Sequence, residues 1–220
     1  MPLGKLFQKA LAPFQKLAGQ PGAELKPWAF WHERLQLAFE QRGFDPRNVR
    51  GVLKGRAIGM LGTTELSEAE SILRVRPLDA RMKLEILPEF TETPEFHQLA
   101  IVFRRVRNIA RELPLSHFES AEKPDPDLSR ILREPAEVAL LEELARRQPV
   151  IEQALAAEDY RRAFGEASHF GPSVDRFFTE VFVMVDDAVL RTGRLRLMRR
   201  LEELILKLAD VSEIVPEAET

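Results

Sequence analysis

Apolar positions recur at helical spacing along almost the whole chain. Leu6, Ala10 and Phe14 mark one face of a short first helix that Pro21-Gly22 ends. Phe30, Leu35, Leu37 and Phe39 supply the apolar positions of a second, from about Leu25 to Gln41, with Gly43 as its stop. Asp45-Pro46 opens a third, the acid capping free N–H groups and the proline at the first helical position. Gly51, Gly55, Gly59 and Gly62 follow at steps of three or four, a spacing that suits either close helix packing or a frayed turn. Ser67 precedes another helix through Arg74. From Pro94 to Leu113 the pattern is clearest: Leu99, Phe103, Val106, Ala110 and Leu113 share one face, and Arg104, Arg107, Asn108 and Arg111 the other.

Pro114 to Asp127 is polar, contains proline and reads as a loop. Glu134-Pro135 starts a long helix, bent or broken at Pro149. Ala157–Phe170 and Val174–Met184 read as two further helices punctuated by Gly171-Pro172. The last helix runs from Asp187 to about Asp210, with Leu190, Leu197, Leu201, Leu204 and Leu208 as its buried stripe and Arg196, Arg199 and Arg200 opposite. Phe182-Val183-Met184-Val185 has strand propensity but no hairpin partner. The prediction is an all-α helical bundle.

Composition narrows the chemistry. With 220 residues the chain can form one sizeable domain or two small ones, and 45% hydrophobic against 30% charged residues suits a globular core. The absence of cysteine excludes disulfides, thiolate metal sites and cysteine nucleophiles, and fits a reducing cytoplasm. No apolar run reaches the roughly 20 residues a membrane helix needs, and Met1–Gln20 lacks the form of a signal peptide. His32, His97, His117 and His169 form no helical zinc-binding pair, and no phosphate-binding glycine loop or dinucleotide fingerprint occurs. No catalytic or metal residue is assigned.

A net charge of −3 means that any nucleic-acid contact must rest on local basic patches. Two helices carry such patches: Arg104, Arg105, Arg107 and Arg111 on one, Arg191, Arg194, Arg196, Arg199 and Arg200 on the other. Arginine's planar fork matches phosphate and stacks on bases. The same residues stand among Glu202 and Glu203, so a solvated, ion-paired surface is the competing reading. Asp186 or Asp187 suits a helix N-cap, and Asp187 with Arg191 has the spacing of an i,i+4 ion pair.

A set of ordered motifs then resembles the C-terminal region of the beta subunit of bacterial heterotetrameric glycyl-tRNA synthetase. These are Trp31-His32-Glu33-Arg34-Leu35 with Arg42-Gly43-Phe44, Phe103-Arg104-Arg105-Val106-Arg107-Asn108-Ile109, Val174 to Phe178, Val181 to Met184, Asp187-Ala188-Val189-Leu190-Arg191, Arg194 to Met198, and Ala209-Asp210-Val211-Ser212. The agreement runs from about residue 25 to 214. Gly193 departs from the family's usual Asn, and Val185 from an acidic or small residue.

The resemblance implies a helical N-terminal region over 1–92, an Asp-Ala-Leu-Arg-type anticodon-binding domain over 93–215, similar to that of arginyl-tRNA synthetase, and a disordered tail over 216–220. It implies a C-terminal fragment that binds glycine tRNA and is itself non-catalytic and cofactor-free. ATP and Mg would be used on the alpha subunit, and the partners would be that subunit and the rest of the beta subunit, in the cytoplasm and without a membrane. A different reading makes the chain a protein-docking module, with Trp28, Phe30 and Trp31 as its surface.

Overall fold

The structure is a computed structural model that describes residues 27–55, 75–113 and 125–215. The expected helix over Leu6–Phe14, the one before Arg74, the tail over 216–220 and most of the loop after Pro114 lie outside these residues.

Within them the chain is helical and no strand occurs. The helices are α1 (Pro27–Glu40), α2 (Pro46–Lys54), α3 (Pro77–Ile86), α4 (Pro88–Thr91), α5 (Pro94–Ala110), α6 (Leu128–Ile131), α7 (Pro135–Ala156), α8 (Tyr160–Ser168), α9 (Phe170–Glu180) and α10 (Ala188–Leu206), followed by a 3-10 turn at Val211–Glu213. None of the described helices is long and apolar enough to cross a membrane.

The starts are set by capping chemistry legible in the sequence. Asp45 accepts hydrogen bonds from the backbone N–H of Arg47 at 2.7 Å and Asn48 at 3.3 Å, with Pro46 just inside. Thr93 caps α5 through Phe96. Glu134 and Glu137 form a reciprocal capping box at the start of α7. After α1, Gly43 sits at φ +87°, the left-handed conformation that favours glycine.

Two expectations are corrected. Of the bend or break expected at Pro149, the break does not occur: α7 is one helix through it. The proline removes one backbone hydrogen bond, but packing of α8, α9 and α10 against α7 holds the helix on either side. Gly171-Pro172 does not separate two helices but lies in the first turn of α9. Gly171 is where α9 crosses α5: a Cβ there would stand 3.1 Å from the Leu99 amide nitrogen.

The core is built around α5 and α10. Leu99, Phe103, Val106, Ala110 and Leu113 are all buried, as their spacing predicts. α5 packs on α9 and α10, and α10 also meets α6 and α7. Phe164 of α8 joins Phe90 and Phe96 with ring centroids 5.8 and 6.4 Å apart.

The 3-10 turn is wedged against α2 and α5. A Cβ on Gly51 would stand 2.6 Å from Ile214 Cγ1 and 2.9 Å from the Asp210 carbonyl, and one on Gly55 3.0 Å from Ala209 Cα. These two glycines therefore serve close packing; Gly59 and Gly62 lie outside the described residues.

Lys83 is one of several buried cations in this core. Lys83 of α3 donates to the Lys207 carbonyl at the end of α10, 2.8 Å away, and lies over the Tyr160 ring at 5.5 Å. Burial pulls its ammonium down to about 8, against the opposing field of Asp79. In the unfolded chain a lysine keeps its proton to about 10.4. Between those values the unfolded state binds more protons, so stability contributed through Lys83 rises as pH rises from 8 towards 10. Tyr160, raised by its burial, acts in the opposite sense only above the ordinary tyrosine value of about 10. Chemical denaturation at pH 7 to 10 should show a gain on the order of 2 kcal/mol that is absent in Lys83→Met. Parallel pH profiles for the two proteins would refute the assignment.

Candidate nucleic-acid interface

The arginines expected to face RNA have three different fates. The first group is inside. Arg194 is 1% exposed. Its guanidinium pairs with Glu137, which is wholly buried, and with Glu134, and donates to the Phe182 carbonyl at 2.6 Å. Glu137 is itself filled, because its other oxygen accepts the backbone N–H of Arg133 at 2.8 Å and of Glu134 at 2.9 Å. One carboxylate thus caps α7 and anchors α10.

Arg199 and Arg200 are also buried. Arg199 pairs with Glu202 at 3.1 Å and Glu203 at 3.5 Å. Burial lowers the Arg200 guanidinium from its ordinary value; Asp125 opposes this and Arg196 adds to it. The face of α10 opposite the leucine stripe is therefore not a solvent face. α10 is covered on both sides, and its charges are neutralised locally rather than displayed.

The second group makes tertiary ties from half-buried positions. Arg107 pairs with Asp210, wholly buried, and reaches Glu202 at 3.7 Å. Asp210 also accepts from the Ser212 hydroxyl at 2.6 Å and donates its backbone N–H to Gly51 at 2.8 Å. Arg104 donates to the Ser212 carbonyl at 3.0 Å. Two of the sequence motifs, 103–109 and 209–212, are thereby one structural joint. Arg196 pairs with Asp125. Arg200, Asp125 and Glu152 line a groove of about 420 Å³ with Leu141, Leu144 and Gln148.

The third group faces outward. Arg105 is exposed and stacks over the Phe178 ring at 4.3 Å. Arg111 is exposed at the end of α5, and no described residue pairs with its side chain. Arg191, at the start of α10, is half-buried.

At the start of α10, Asp187 caps the helix by accepting from Val189 at 2.9 Å and Leu190 at 3.0 Å. Arg191 does not close the i,i+4 pair with Asp187. Its guanidinium turns back to the Val185 carbonyl at 3.0 Å, which lets it hold the segment before the helix. Gly193 is buried, and a Cβ there would stand 2.7 Å from Ile131 Cγ2. Position 193 therefore faces α6 rather than solvent, and its glycine is a packing feature of this chain.

Residues that the arginine pattern passed over lie next to these. Phe182 is 74% exposed, Met184 46% and Val189 63%. The signal was present in the alternation over 181–184, where Val181 and Val183 are buried and Phe182 and Met184 are out.

The family described as the DALR anticodon binding domain matches residues 99–216, which span most of α5 to the 3-10 turn. The chain is similar to proteins named glycine--tRNA ligase beta subunit. It is 40% identical over 141 residues to that of Anaeromyxobacter dehalogenans (strain 2CP-C), covering 64% of this chain and 19% of the relative. It is 31% identical over 202 residues to that of Acidobacterium capsulatum, covering 91% and 26%. For Methylobacillus flagellatus it is 30% identical over 217 residues, covering 97% and 27%. The chain thus spans about a fifth to a quarter of the length of the curated relatives it matches. With more than half of its residues matched, the chain belongs to the DALR anticodon binding domain family.

Proposed function

We propose that this chain is the tRNA-binding region of a glycine--tRNA ligase beta subunit and engages the anticodon stem-loop of glycine tRNA. The observation that carries this reading is the family match over residues 99–216, within which Arg105 and Arg111 face outward. On this reading the chain works in the cytoplasm without a cofactor of its own. Glycine activation with ATP and Mg belongs to the alpha subunit. The remaining beta-subunit segments and the alpha subunit are its protein partners.

The RNA-facing set is smaller than the nine arginines of the two helices. Arg194, Arg199 and Arg200 are buried, and Arg107 is committed to Asp210. On this reading the exposed Arg105 and Arg111 meet phosphate, and the half-buried Arg191 contributes less. Each phosphate contact contributes about 0.9 to the slope of log affinity against log salt.

Filter binding of glycine tRNA to the chain should therefore show weaker affinity for Arg105→Ala/Arg111→Ala, with a slope shallower by about 1 to 2. Unchanged affinity and slope would remove both residues from the interface. The docking alternative rests on α1, where Trp31 and Leu37 are exposed. Co-elution with purified alpha subunit in the absence of tRNA would favour docking.

A further inference from the structure

We infer that Phe182 and Met184 form a preorganised platform on which an unpaired base of the RNA stacks. This rests on the tRNA-binding reading above and deepens it by naming the base-contacting residues.

The segment between α9 and α10 has no helix or strand to hold it, yet its backbone is tied at three carbonyls. Phe182 O accepts from the Arg194 guanidinium at 2.6 Å. Val183 O accepts the backbone N–H of Val185 at 3.1 Å, a tight turn. Val185 O accepts from the Arg191 guanidinium at 3.0 Å. Val181 and Val183 are buried as plugs on the inner side. The Arg194–Glu137 pair at one end of this scaffold is almost wholly buried, so the segment is fixed to the α7–α10 joint.

What this scaffold presents outward is apolar. Phe182, Met184 and Val189 lie within eight residues and are 74%, 46% and 63% exposed. Scattered apolar residues on a surface need no explanation, but a cluster held rigidly outward marks a contact site. Two backbone carbonyls are satisfied by arginine forks at the cost of leaving a phenylalanine ring in water, which a merely structural linker does not require.

The chemistry around the cluster selects the occupant. Arg191 donates to the carbonyl of Val185, next to Met184, and Arg105 stacks on Phe178, four residues before Phe182 in sequence. Asp186 and Asp187, both exposed, follow in the same segment. A base suits such a surface: its π face takes a phenyl ring or thioether, and its amino edge takes a carboxylate. A single-stranded RNA segment offers splayed bases of this kind, and the surrounding fold belongs to an anticodon-binding family.

The test uses the full chain and glycine tRNA carrying 2-aminopurine at one anticodon-loop position at a time. Wild-type protein should quench the probe at one or more loop positions. Phe182→Ala should abolish that quenching and weaken binding about 5- to 100-fold, in line with the loss of one stacked base, while the salt slope stays that of wild type. Phe182→Trp should restore both. Because the ring is largely in solvent, the thermal melt of Phe182→Ala should match wild type, which separates loss of contact from loss of fold.

Wild-type affinity and quenching in Phe182→Ala would overturn the platform while leaving tRNA binding intact. Absence of tRNA binding by the wild-type chain would instead sink the proposed function itself. If Phe182→Ala disrupts co-elution with the alpha subunit and leaves tRNA binding unchanged, the cluster is a protein-docking face and the inference is wrong.

Discussion

Arg194→Ala should destabilise the protein by about 3–5 kcal/mol, the range for breaking a buried ion pair by removing one partner. Glu137 is wholly buried, and among the described residues Arg194 is the one partner of the oxygen that the backbone N–H groups leave open. Truncation leaves that charge in the interior and frees the Phe182 carbonyl as well. For a chain of this size each kcal/mol shifts the melting temperature by roughly 2–4 °C, so the transition should fall by about 6–20 °C. The double variant Arg194→Met/Glu137→Leu should recover most of the loss, since replacing a buried pair with apolar groups is often near neutral. It should not recover all of it, because Glu137 also caps α7, a contribution of about 1 kcal/mol. Urea denaturation of the three proteins checks this. A loss under 1 kcal/mol for Arg194→Ala would mean that the joint is not held by this pair. A fall in tRNA affinity in this variant is expected to accompany the loss of fold, and the melt is the control.

Asp210→Ala should cost about 2–4 kcal/mol by a related mechanism. Its carboxylate is fully buried and takes both the Arg107 guanidinium and the Ser212 hydroxyl. The cost is smaller than at Arg194 because Arg107 is partly exposed, can recover water, and still faces Glu202. The damage should be local: the 3-10 turn lies against α2, so the α2 amides should lose hydrogen-exchange protection first. Asp210→Asn keeps an acceptor oxygen for one of the two donors and should lose about half as much. Equal protection of α2 in Asp210→Ala and wild type would rule the joint out as the holder of that helix. Arg107→Ala is expected to resemble Asp210→Ala, and any loss of tRNA binding it shows should follow its melt.

These two residues show why the arginine-rich helices invite misreading. An arginine on the polar side of an amphipathic pattern is spaced identically whether it meets water, RNA or a buried carboxylate. The leucine stripe of α10 is buried as its period predicts, apart from Leu190, which is half-buried. The opposite side is covered too, because α10 has neighbours on both faces. Buried carboxylates such as Glu137 and Asp210 lie 57 and 103 residues from the arginines they pair with, beyond the reach of any local pattern. A local sign did exist. The Glu134-Pro-x-Glu137 box and the Ala209–Ser212 close each place an acid where backbone N–H groups or a hydroxyl gather.

The starts of α2, α5, α7 and α10, the all-α class and the family were determined by the sequence alone. Capping residues, proline at the first turn and apolar period act over three or four residues, so they are visible in any window. The motif order adds a long-range mark that needs no coordinates. Only the tertiary structure decided which arginines are cross-links and which face outward, why Gly51 and Gly193 are glycines, and that Phe182 and Met184 stand in solvent. Each of these depends on what lies across the interface from a residue. Burial turns the same guanidinium from a ligand for phosphate into the counter-charge of a carboxylate.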